Sequence, residues 1–326
     1  MEREKQQMAV EIVRERWKGK VCEMVLGREP RTVRAGGDTS LPFIHFEGDP
    51  VRPVTALEVQ DIDPGDWPAV LRQEFDEVLS DPAAWARRCV ELGADLVLLR
   101  LAGTHPENRD TGPEEAAATA RRVAEAVDVP LIVLGSGVEE KDARVLPVVA
   151  EALEGRNCLL GQATAENYKT VAAACVAYGH SVVATSPLDI NLAKQLNILI
   201  TEMNLPPERI AMDPSIGPLG YGLEYAYSII ERKRLGALSG DRMLAPPVIC
   251  LVGEETWKTR EAQVEDQPEW GDQSRRAVLW ETVTAVTLAL AGGSIFVFRH
   301  PGSLARFNRE VDALMRPWEY PSPPPG

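Results

Sequence analysis

Residues 180–200, HSVVATSPLDINLAKQLNILI, combine a short apolar run, an abrupt stop at small and polar residues, and a helical pattern. The run SVVAT is rich in β-branched residues and has the length of a strand. From Ile190 the apolar residues recur every three or four positions, which indicates an amphipathic helix. A strand that is followed directly by a helix is the repeating unit of a parallel sheet, so the fold depends on how often this unit recurs.

The strand-then-polar-stop pattern recurs eight times, and amphipathic helical stretches separate the copies. The eight segments are VRPVTALEVQDIDP (51–64), ADLVLLRLAGTHP (94–106), VPLIVLGSG (129–137), NCLLGQATAEN (157–167), HSVVATSPLD (180–189), RIAMDPSIG (209–217), PPVICLVGEE (246–255) and GSIFVFRHPG (293–302). Nearly continuous apolar runs are typical of parallel strands that are covered on both faces. Eight strand–helix units predict an α/β chain with a (β/α)8 TIM barrel over residues 51–315. The competing fold is a doubly wound sheet, but LGSGVEE (134–140) lacks the third glycine of its phosphate fingerprint.

The flanking regions predict additions to this barrel. Residues 1–50 form an N-terminal extension in which KVCEMVLG (20–27), RTVRAGGD (31–38) and LPFIHFEG (41–48) are predicted as short strands. We expect them to form a β-hairpin layer that closes the bottom of the barrel, or to contact a partner. Residues 316–326 form a proline-rich tail. Segment 254–274 is longer than a βα loop requires, and its Trp257 and Trp270 are predicted to be exposed and to contact another subunit.

Composition excludes several classes of protein. The 326 residues are 44% hydrophobic, and 35 basic against 49 acidic residues give a net charge of −14, which disfavours nucleic-acid binding. The nearly apolar run VTAVTLALAGG (283–293) is shorter than the ~20 residues that cross a bilayer. The charged N-terminus has no apolar signal core, so we expect a cytoplasmic protein without membrane contact. Five dispersed cysteines and four unclustered histidines predict no disulfide framework and no metal or iron–sulfur site held by this chain alone.

Ligands of a TIM barrel bind at the carboxyl ends of its strands. The residues predicted to bind a cofactor there are Asp61, Thr104, Ser136, Gln162, Asn167, Ser186, Asp189, Asp213, Tyr221, Glu254, Arg299 and His300. No lysine follows a strand, so Schiff-base chemistry has no evident nucleophile, and Ser186 lies outside any G-x-S-x-G elbow. We therefore predict no catalytic residue. A metal site assembled from distant strands is an open alternative. Asp213, in AMDPSIG, either grips a pterin-like ring or only turns the chain and caps a helix.

Six segments resemble one known family: LPFIHFEG, PVTALEVQDI, ENYKTVAAACVAYGHSVVATSPLDINLAKQLNILI, MDPSIGPLGYGLEYAYSIIER, PPVICLVGEETW and TLALAGGSIFVFRHP. They are similar to the small (delta) subunit of the corrinoid/iron–sulfur protein of the reductive acetyl-CoA (Wood–Ljungdahl) pathway, from about residue 20 to about residue 315. The resemblance implies a barrel that forms a heterodimer with a large (gamma) subunit, which carries a [4Fe–4S] cluster and a mobile cobalamin domain. It also implies transient contact with methyltetrahydrofolate methyltransferase and with acetyl-CoA synthase.

The leading hypothesis from this resemblance is a non-catalytic subunit whose barrel mouth docks the partner's cobalamin and shields it during methyl transfer. Hydrogen-bonding side chains suit the amide-bearing rim of a corrin. The main alternative is a pterin-dependent corrinoid methyltransferase, in which Asp61 or Asp213 and Gln162 or Asn167 would hold the pterin. A sugar- or aldehyde-handling barrel enzyme is a third alternative, weakened by the missing lysine and phosphate loop.

Overall fold

The structure is a computed structural model that describes residues 14–317. Residues 1–13 and 318–326, which include nearly all of the proline-rich tail, lie outside the described residues. Eight parallel strands follow one another around a barrel, in the order that the sequence predicts. They are β3 (Val54–Gln60), β4 (Leu96–Arg100), β5 (Leu131–Leu134), β6 (Leu159–Ala163), β7 (Ser181–Thr185), β8 (Ile210–Asp213), β9 (Ile249–Cys250) and β10 (Ile295–Phe298). The predicted TIM-barrel class is confirmed.

The barrel closes between β8 and β9, where the pairing is shortest. The ladder between these strands is a single parallel bridge between Met212 and Val248, with a hydrogen bond of 2.8 Å from the Met212 N–H to the Pro247 carbonyl. Every other neighbouring pair of barrel strands forms a parallel ladder. The sheet is therefore a nearly closed ring.

An antiparallel hairpin closes the lower end of the barrel, as expected. It consists of β1 (Glu23–Arg28) and β2 (Arg31–Gly36). Met24 and Leu26 are completely buried and belong to the same apolar cluster as the side chains inside the barrel. The prediction of a third strand at 41–48 is wrong, and this segment forms turns. The reason is that it packs against the ends of helices and has no sheet edge beside it.

Helices cover the outside of the barrel. They are α1 (Ala69–Arg72), α2 (Pro82–Glu91), α3 (Pro113–Ala126), α4 (Glu139–Ala152), α5 (Tyr168–Tyr178), α6 (Ile190–Glu202), α7 (Leu223–Leu238), α8 (Val252–Thr256), α9 (Arg260–Gln263), α10 (Gln273–Ala291) and α11 (Pro301–Leu314). Their ends follow ordinary capping chemistry: the Asp81 carboxylate accepts the Ala83 N–H at the start of α2, and Gly292 ends α10 with a φ of 116°. No helix within residues 14–317 is long and apolar enough to cross a membrane.

Side chains alternate along each strand between the barrel interior and the helices. On β4, Leu96 and Leu98 pack inside the barrel, whereas Val97 and Leu99 pack against the helices. Both layers are apolar, which explains why the strands read as continuous apolar runs. The five cysteines are free and buried, where they pack as small apolar side chains.

Candidate functional site at the barrel mouth

The top interior layer of the barrel is polar, and strand alternation decides which residues form it. On β3, Ala56 faces the interior, so Glu58 and Gln60 also face inward. On β10, Val297 faces the interior and is followed two positions later by Arg299. The same spacing places Arg100, Thr185 and Asp213 in this layer. These side chains form the floor of the mouth.

Glu58 lies at the centre of a buried ion-pair network. Its carboxylate accepts two hydrogen bonds from the Arg299 guanidinium, from Nε at 2.9 Å and from Nη2 at 3.0 Å. The Nε atom of Arg100 lies 3.8 Å from the same carboxylate, and Arg100 Nη2 donates to Glu254. The Glu58 side chain is only 1% exposed. Two carboxylates therefore neutralise two guanidinium groups, and the Glu58–Arg299 pair has a two-point geometry that water cannot readily replace.

Glu254 links this network to the surface. Burial by itself would raise the pKa of its carboxyl, but the positive charges of Arg100, Lys258 and Arg299 outweigh that effect and lower the pKa to about 2. Lys258 Nζ lies 3.1 Å from Glu254 Oε1. The carboxylate consequently stays ionised, and its charge is already compensated by residues of this chain.

Two tryptophans border the cavity above the network. The ring centroid of Trp67 lies 5.0 Å from the Arg299 guanidinium carbon, within the range of a cation–π contact. Trp67 and Trp257 line a cavity of about 580 Å³ together with Gln60, Asp63 and other loop residues. In this charged half of the mouth, aromatic side chains line the cavity above ion pairs in which Glu58 and Glu254 neutralise Arg299 and Arg100.

Asp213 is the centre of the other half of the mouth. One carboxylate oxygen accepts hydrogen bonds from Gln162 Nε2 at 3.0 Å and from Thr185 Oγ1 at 2.9 Å, and the other accepts the Ser215 N–H at 3.0 Å. Burial raises the pKa of Asp213 to about 6, although these three hydrogen bonds favour the ionised form. Asp213 and Gln162, which the sequence predicts as site residues, are thus in direct contact.

An apolar cavity of about 620 Å³ lies beside this cluster. Pro187, Leu188 and Leu192 line its outer wall, and Thr185, Ser186 and Ser215 contribute polar atoms. Leu188 and Leu192 are 40% and 46% exposed. The mouth therefore presents a charged half and an apolar half.

Asp61, Thr104 and Ser136 make mainly local contacts. The Asp61 carboxylate accepts the Gly103 N–H at 2.8 Å, and burial raises its pKa to about 6. The Thr104 hydroxyl donates to the Leu101 carbonyl at 2.8 Å and is completely buried, so it does not reach the cavity. Ser136 contacts Asp142, whose carboxylate also accepts the Gly137 N–H. These contacts hold the loops that follow β3, β4 and β5.

Asn167, Ser186 and Asp189 also hold backbone. Asn167 accepts the Thr164 N–H at 2.8 Å, and its amide donates to the Gln162 carbonyl at 3.2 Å. The Ser186 carbonyl accepts the Ser215 hydroxyl at 2.8 Å. Asp189 is the N-cap of α6. Of these three, only Ser186 lines a cavity.

Segment 254–274 is part of the core at its beginning and exposed near its end. The Trp257 side chain is 1% exposed, donates to Glu281 Oε2 at 3.2 Å and stacks on His300 with ring centroids 6.0 Å apart. The prediction that Trp257 is exposed is therefore wrong, because this segment folds back as α8 and α9 onto α10. Trp270 is partly exposed and lies between the guanidinium groups of Arg260 and Arg276.

Tyr221 and His300 end up in contrasting surroundings. Tyr221 is half exposed, and its hydroxyl donates to Glu261 Oε2 at 3.0 Å. His300 is buried and caps α11 by accepting the Gly302 N–H at Nδ1, and its Nε2 has no hydrogen-bond partner. Burial lowers the pKa of His300 to about 4, so the ring is neutral near pH 7. Tyr221 lies on the rim of the mouth, whereas His300 is buried and packs against Trp257, which lines the mouth.

Sequence reasoning missed Glu58, Arg100 and Glu281. Glu58 and Arg100 interrupt apolar strand segments, and Glu281 is the only charged residue between Ala277 and Phe298. A single charged residue in such a run signals a buried group that must find a partner. Burial raises the pKa of Glu281 to about 7, while its carboxylate accepts the Arg299 N–H at 2.7 Å and thereby supports the mouth.

No group of three or more His, Cys, Asp or Glu side chains is placed to hold a metal ion between residues 14 and 317. The two histidines near the mouth are engaged locally: His105 Nδ1 accepts the Glu107 N–H at 3.1 Å, and His300 is enclosed. The side chains at the mouth instead offer hydroxyl, amide and apolar groups around paired charges.

Comparison with known proteins gives one consistent relationship. The model of the CO dehydrogenase/acetyl-CoA synthase delta subunit family matches residues 23–299. The acetyl-CoA decarbonylase/synthase complex subunit delta of Methanothermobacter thermautotrophicus is 40% identical over 296 residues, which cover 90% of this chain and 75% of that protein. The subunit delta of Archaeoglobus fulgidus is 38% identical over 320 residues (93% and 70%), and that of Methanosarcina mazei is 39% identical over 296 residues (88% and 67%).

Solved structures with a similar fold include dihydropteroate synthases. The enzyme of Xanthomonas albilineans with 4-aminobenzoic acid has a TM-score of 0.58 at 14% identity, covering 90% of this chain and 100% of that chain. The enzyme of Yersinia pestis with a pterine-sulfa conjugate has a TM-score of 0.57 at 17% identity (89% and 98%). At these identities the similarity establishes the barrel and its N-terminal hairpin alone.

Proposed function

This chain belongs to the CO dehydrogenase/acetyl-CoA synthase delta subunit family, and we propose that its barrel mouth docks and shields the cobalamin of a larger partner subunit during methyl transfer. The partner is the large (gamma) subunit of the corrinoid/iron–sulfur protein, which would also carry the [4Fe–4S] cluster. The methyl group would come from methyltetrahydrofolate methyltransferase and pass to acetyl-CoA synthase, in the cytoplasm. This chain would act without a catalytic group of its own.

One observation carries the proposal: the carboxylates predicted at the mouth are already engaged by donors of this chain. Asp61 accepts a backbone N–H, Asp189 caps a helix, Asp213 accepts three hydrogen bonds and Glu254 pairs with Arg100 and Lys258. A general acid or base must have an atom free to meet its substrate. Asp213 and Glu254 use both carboxylate oxygens in this way, and Asp61 and Asp189 use one each, so the mouth suits a rigid binding surface better than proton transfer.

The remaining polar groups fit a corrin. Its rim carries amide side chains that both donate and accept hydrogen bonds, and its ring bears methyl groups. The Nε2 atoms of Gln60 and Gln162 already donate to Glu58 and Asp213, so their Oε1 atoms would accept from the corrin amides, while Leu188 and Leu192 would meet the methyl-bearing edge. The Nδ1 atom of His105 accepts the Glu107 N–H and His300 is buried, and in this proposal the cobalt keeps the ligands that the partner subunit supplies. Cobalamin would supply the cobalt centre that carries the methyl group.

Shielding would follow from the walls of the mouth. Trp67 contacts the Arg299 guanidinium and Trp257 donates to Glu281, and with a corrin over the mouth these rings would help to exclude water from the charged half. Leu188 and Leu192 would do the same for the apolar half. Because reduced cobalt reacts quickly with oxidants, a dry cover over the corrin would prolong its lifetime until a methyl donor or acceptor displaces the cover.

The test compares the oxidation rate of Co(I) in the purified large subunit with and without this chain, followed by visible absorption after exposure to a limiting oxidant. We expect oxidation at least roughly fivefold slower with the wild-type chain, and most of that protection lost with Leu188→Asp/Leu192→Asp. Val176→Asp is the matched control, because Val176 is 42% exposed on α5. Equal oxidation rates with and without the wild-type chain would overturn the proposal.

A second assay addresses the pterin-dependent methyltransferase. The chain alone is mixed with methyltetrahydrofolate and free Co(I) cobalamin, and methylcobalamin is measured by absorption. We expect no methylcobalamin above the protein-free reaction, since Asp213 and Gln162 are bonded to each other. Turnover by the chain alone, lost in Asp213→Asn, would replace shielding with pterin-dependent catalysis.

A further inference from the structure

A cavity of about 390 Å³ lies at the lower end of the barrel, opposite the mouth. The turn between β1 and β2, the loop between α3 and β5 and the loop between α4 and β6 meet around it. Both loops lead into the amino ends of barrel strands, and the lining residues are distinct from those of the two cavities at the mouth. The volume lies within the range of about 300–1,000 Å³ that is typical of small-molecule sites. The cavity is therefore large enough to hold a small organic molecule.

Arginines give this lower cavity a charge opposite in sign to that of the whole chain. Arg28, Arg31 and Arg156 line it, together with two acidic residues, Glu29 and Asp128. Three guanidinium groups against two carboxylates leave a net charge of +1, whereas the chain as a whole carries −14. In the part of the chain that the structure describes, none of the three arginines forms an ion pair with a carboxylate. Their charges are therefore available to a ligand.

Asn157 fixes the hairpin that forms one wall of the lower cavity. Its Nδ2 donates to the Val25 carbonyl at 2.8 Å and to the Gly27 carbonyl at 3.2 Å, and its own carbonyl accepts the Gly27 N–H at 2.9 Å. Gly27 has a φ of 81°, and a Cβ there would lie 2.6 Å from the Pro130 Cγ, so the turn packs closely on the loop between α3 and β5. The arginines of the turn therefore extend from anchored backbone, which lowers the cost of ordering them on binding.

Arg156 is held beside the cavity by one of its nitrogens. Its Nη1 donates to the Ala124 carbonyl near the end of α3 at 2.8 Å. Its Nε and Nη2 atoms form no hydrogen bond with another described residue. The guanidinium group is thus restrained in position and keeps donors for an oxyanion.

We propose that the lower cavity binds an organic diphosphate. A planar guanidinium group matches phosphate oxygens through two parallel hydrogen bonds, so arginine is well suited to hold a phosphoryl group. A diphosphate has acceptor oxygens on two adjacent groups and is able to meet guanidinium groups from three segments at once, whereas one carboxylate offers only two oxygens. Val127, Val129 and Pro130 also line the cavity and provide an apolar surface for the organic part of the ligand.

The net negative charge of the chain does not prevent this binding. At physiological ionic strength, exposed charges separated by more than about 8 Å are largely screened, so the arginines that line the cavity dominate its local potential. A bound diphosphate would connect the hairpin turn with the loops before β5 and β6. Because a ligand that binds only the folded chain stabilises it, binding should raise the midpoint temperature of unfolding. The site is independent of corrin shielding, since it lies at the opposite end of the barrel.

The experiment is isothermal titration of the full chain with ADP, inorganic pyrophosphate, AMP and adenosine. We expect one ADP or one pyrophosphate to bind per chain with a Kd below about 1 mM, AMP to bind at least roughly tenfold more weakly, and adenosine not to bind. ADP should also raise the midpoint temperature of thermal unfolding.

Two double variants locate the binding site. Arg28→Ala/Arg31→Ala should raise the Kd for ADP at least roughly tenfold and abolish the thermal shift. Arg232→Ala/Arg309→Ala is the matched control, because it removes the same charge from exposed positions on α7 and α11, and its Kd should stay within roughly twofold of wild type. Circular dichroism verifies that both variants are folded.

Three results would overturn the assignment. The first is the absence of ADP binding, or adenosine binding as tight as that of ADP. The second is an equal loss of affinity in the two double variants, which would show general attraction to surface charge. The third is citrate binding as tight as that of pyrophosphate, which would make the ligand a polycarboxylate. The mouth variant Leu188→Asp/Leu192→Asp should bind ADP like wild type, so this site and corrin shielding are tested separately.

Discussion

Replacing Glu58 by glutamine removes one negative charge from the network under the mouth and keeps the shape of the side chain. In the wild type, Glu58 neutralises Arg299 through two hydrogen bonds of 2.9 and 3.0 Å, and both side chains are less than 10% exposed. Glu254 remains paired with Arg100 in the variant, so the uncompensated charge is that of Arg299. Removing one partner of a buried pair costs about 3–5 kcal/mol, and we expect a loss in that range.

The assay is urea unfolding at pH 7, followed by far-ultraviolet circular dichroism. Glu23→Gln is the control, because Glu23 and Arg34 form a surface pair with side chains 45% and 61% exposed, for which a loss below about 1 kcal/mol is expected. The double variant Glu58→Met/Arg299→Met removes both charges and should recover much of the loss, since a buried pair often stabilises no more than apolar residues of similar volume. Added salt should change the Glu58→Gln effect little, because buried charges are poorly screened.

Two results would refute this reasoning. A loss below about 1 kcal/mol for Glu58→Gln would mean that water or another group compensates Arg299. A double variant as unstable as Glu58→Gln would mean that the cost arises from altered packing and not from an unpaired charge.

Three further predictions concern stability, each measured by denaturant unfolding. Burial raises the pKa of Asp213 from 3.8 to about 6, so the native state binds this proton more tightly than the unfolded chain and loses stability as the pH rises through that range. Asp213→Asn should therefore gain about 3 kcal/mol relative to wild type at pH 7.5 and less than about 1 kcal/mol at pH 4. An equal effect at both pH values would contradict this. Burial lowers the pKa of His300 from 6.5 to about 4, so the unfolded chain takes up the proton first as the pH falls. His300→Asn keeps an acceptor for the Gly302 N–H, and its free energy of unfolding should fall by about 2 kcal/mol less than that of wild type between pH 7 and pH 5. Equal losses in the two proteins would exclude this role of His300. Gly135→Ala would place a Cβ 2.3 Å from the Asp142 carboxyl and should lower the free energy of unfolding by about 2–3 kcal/mol. Gly65→Ala is the control, because no atom lies within 4 Å of its Cβ, and its free energy of unfolding should stay within about 0.5 kcal/mol of wild type. A Gly135→Ala variant as stable as wild type would show that the loop moves freely.

The fold was predictable because its signals are local. Each strand is a short apolar run, each helix has its own periodicity and caps, and eight repeats in order leave few alternatives to a barrel. The hairpin was predictable for the same reason. The third strand at 41–48 was not, because its apolar residues pack against helix ends, and only the folded chain determines that no sheet edge lies beside them.

The site was predictable only in part. The rule that ligands bind past the strand ends brought Gln162 and Asp213 together, and these two side chains do touch. The same rule selected Thr104 and Asn167, which hold local backbone. It could not distinguish a cavity-lining side chain from a capping one, because that difference depends on rotamers and on neighbours far away in sequence.

The sequence by itself determined the order of the strands, the helices between them and the family, since these depend on patterns along one stretch of chain. Only the tertiary structure decided that Glu58, on the first barrel strand, neutralises Arg299, which lies 241 positions later and follows the last. It also decided that Trp257 is buried and that Val283 and Leu290 of α10 are exposed. A charge in an apolar run must find a partner, but which partner it finds is set by the closure of the barrel.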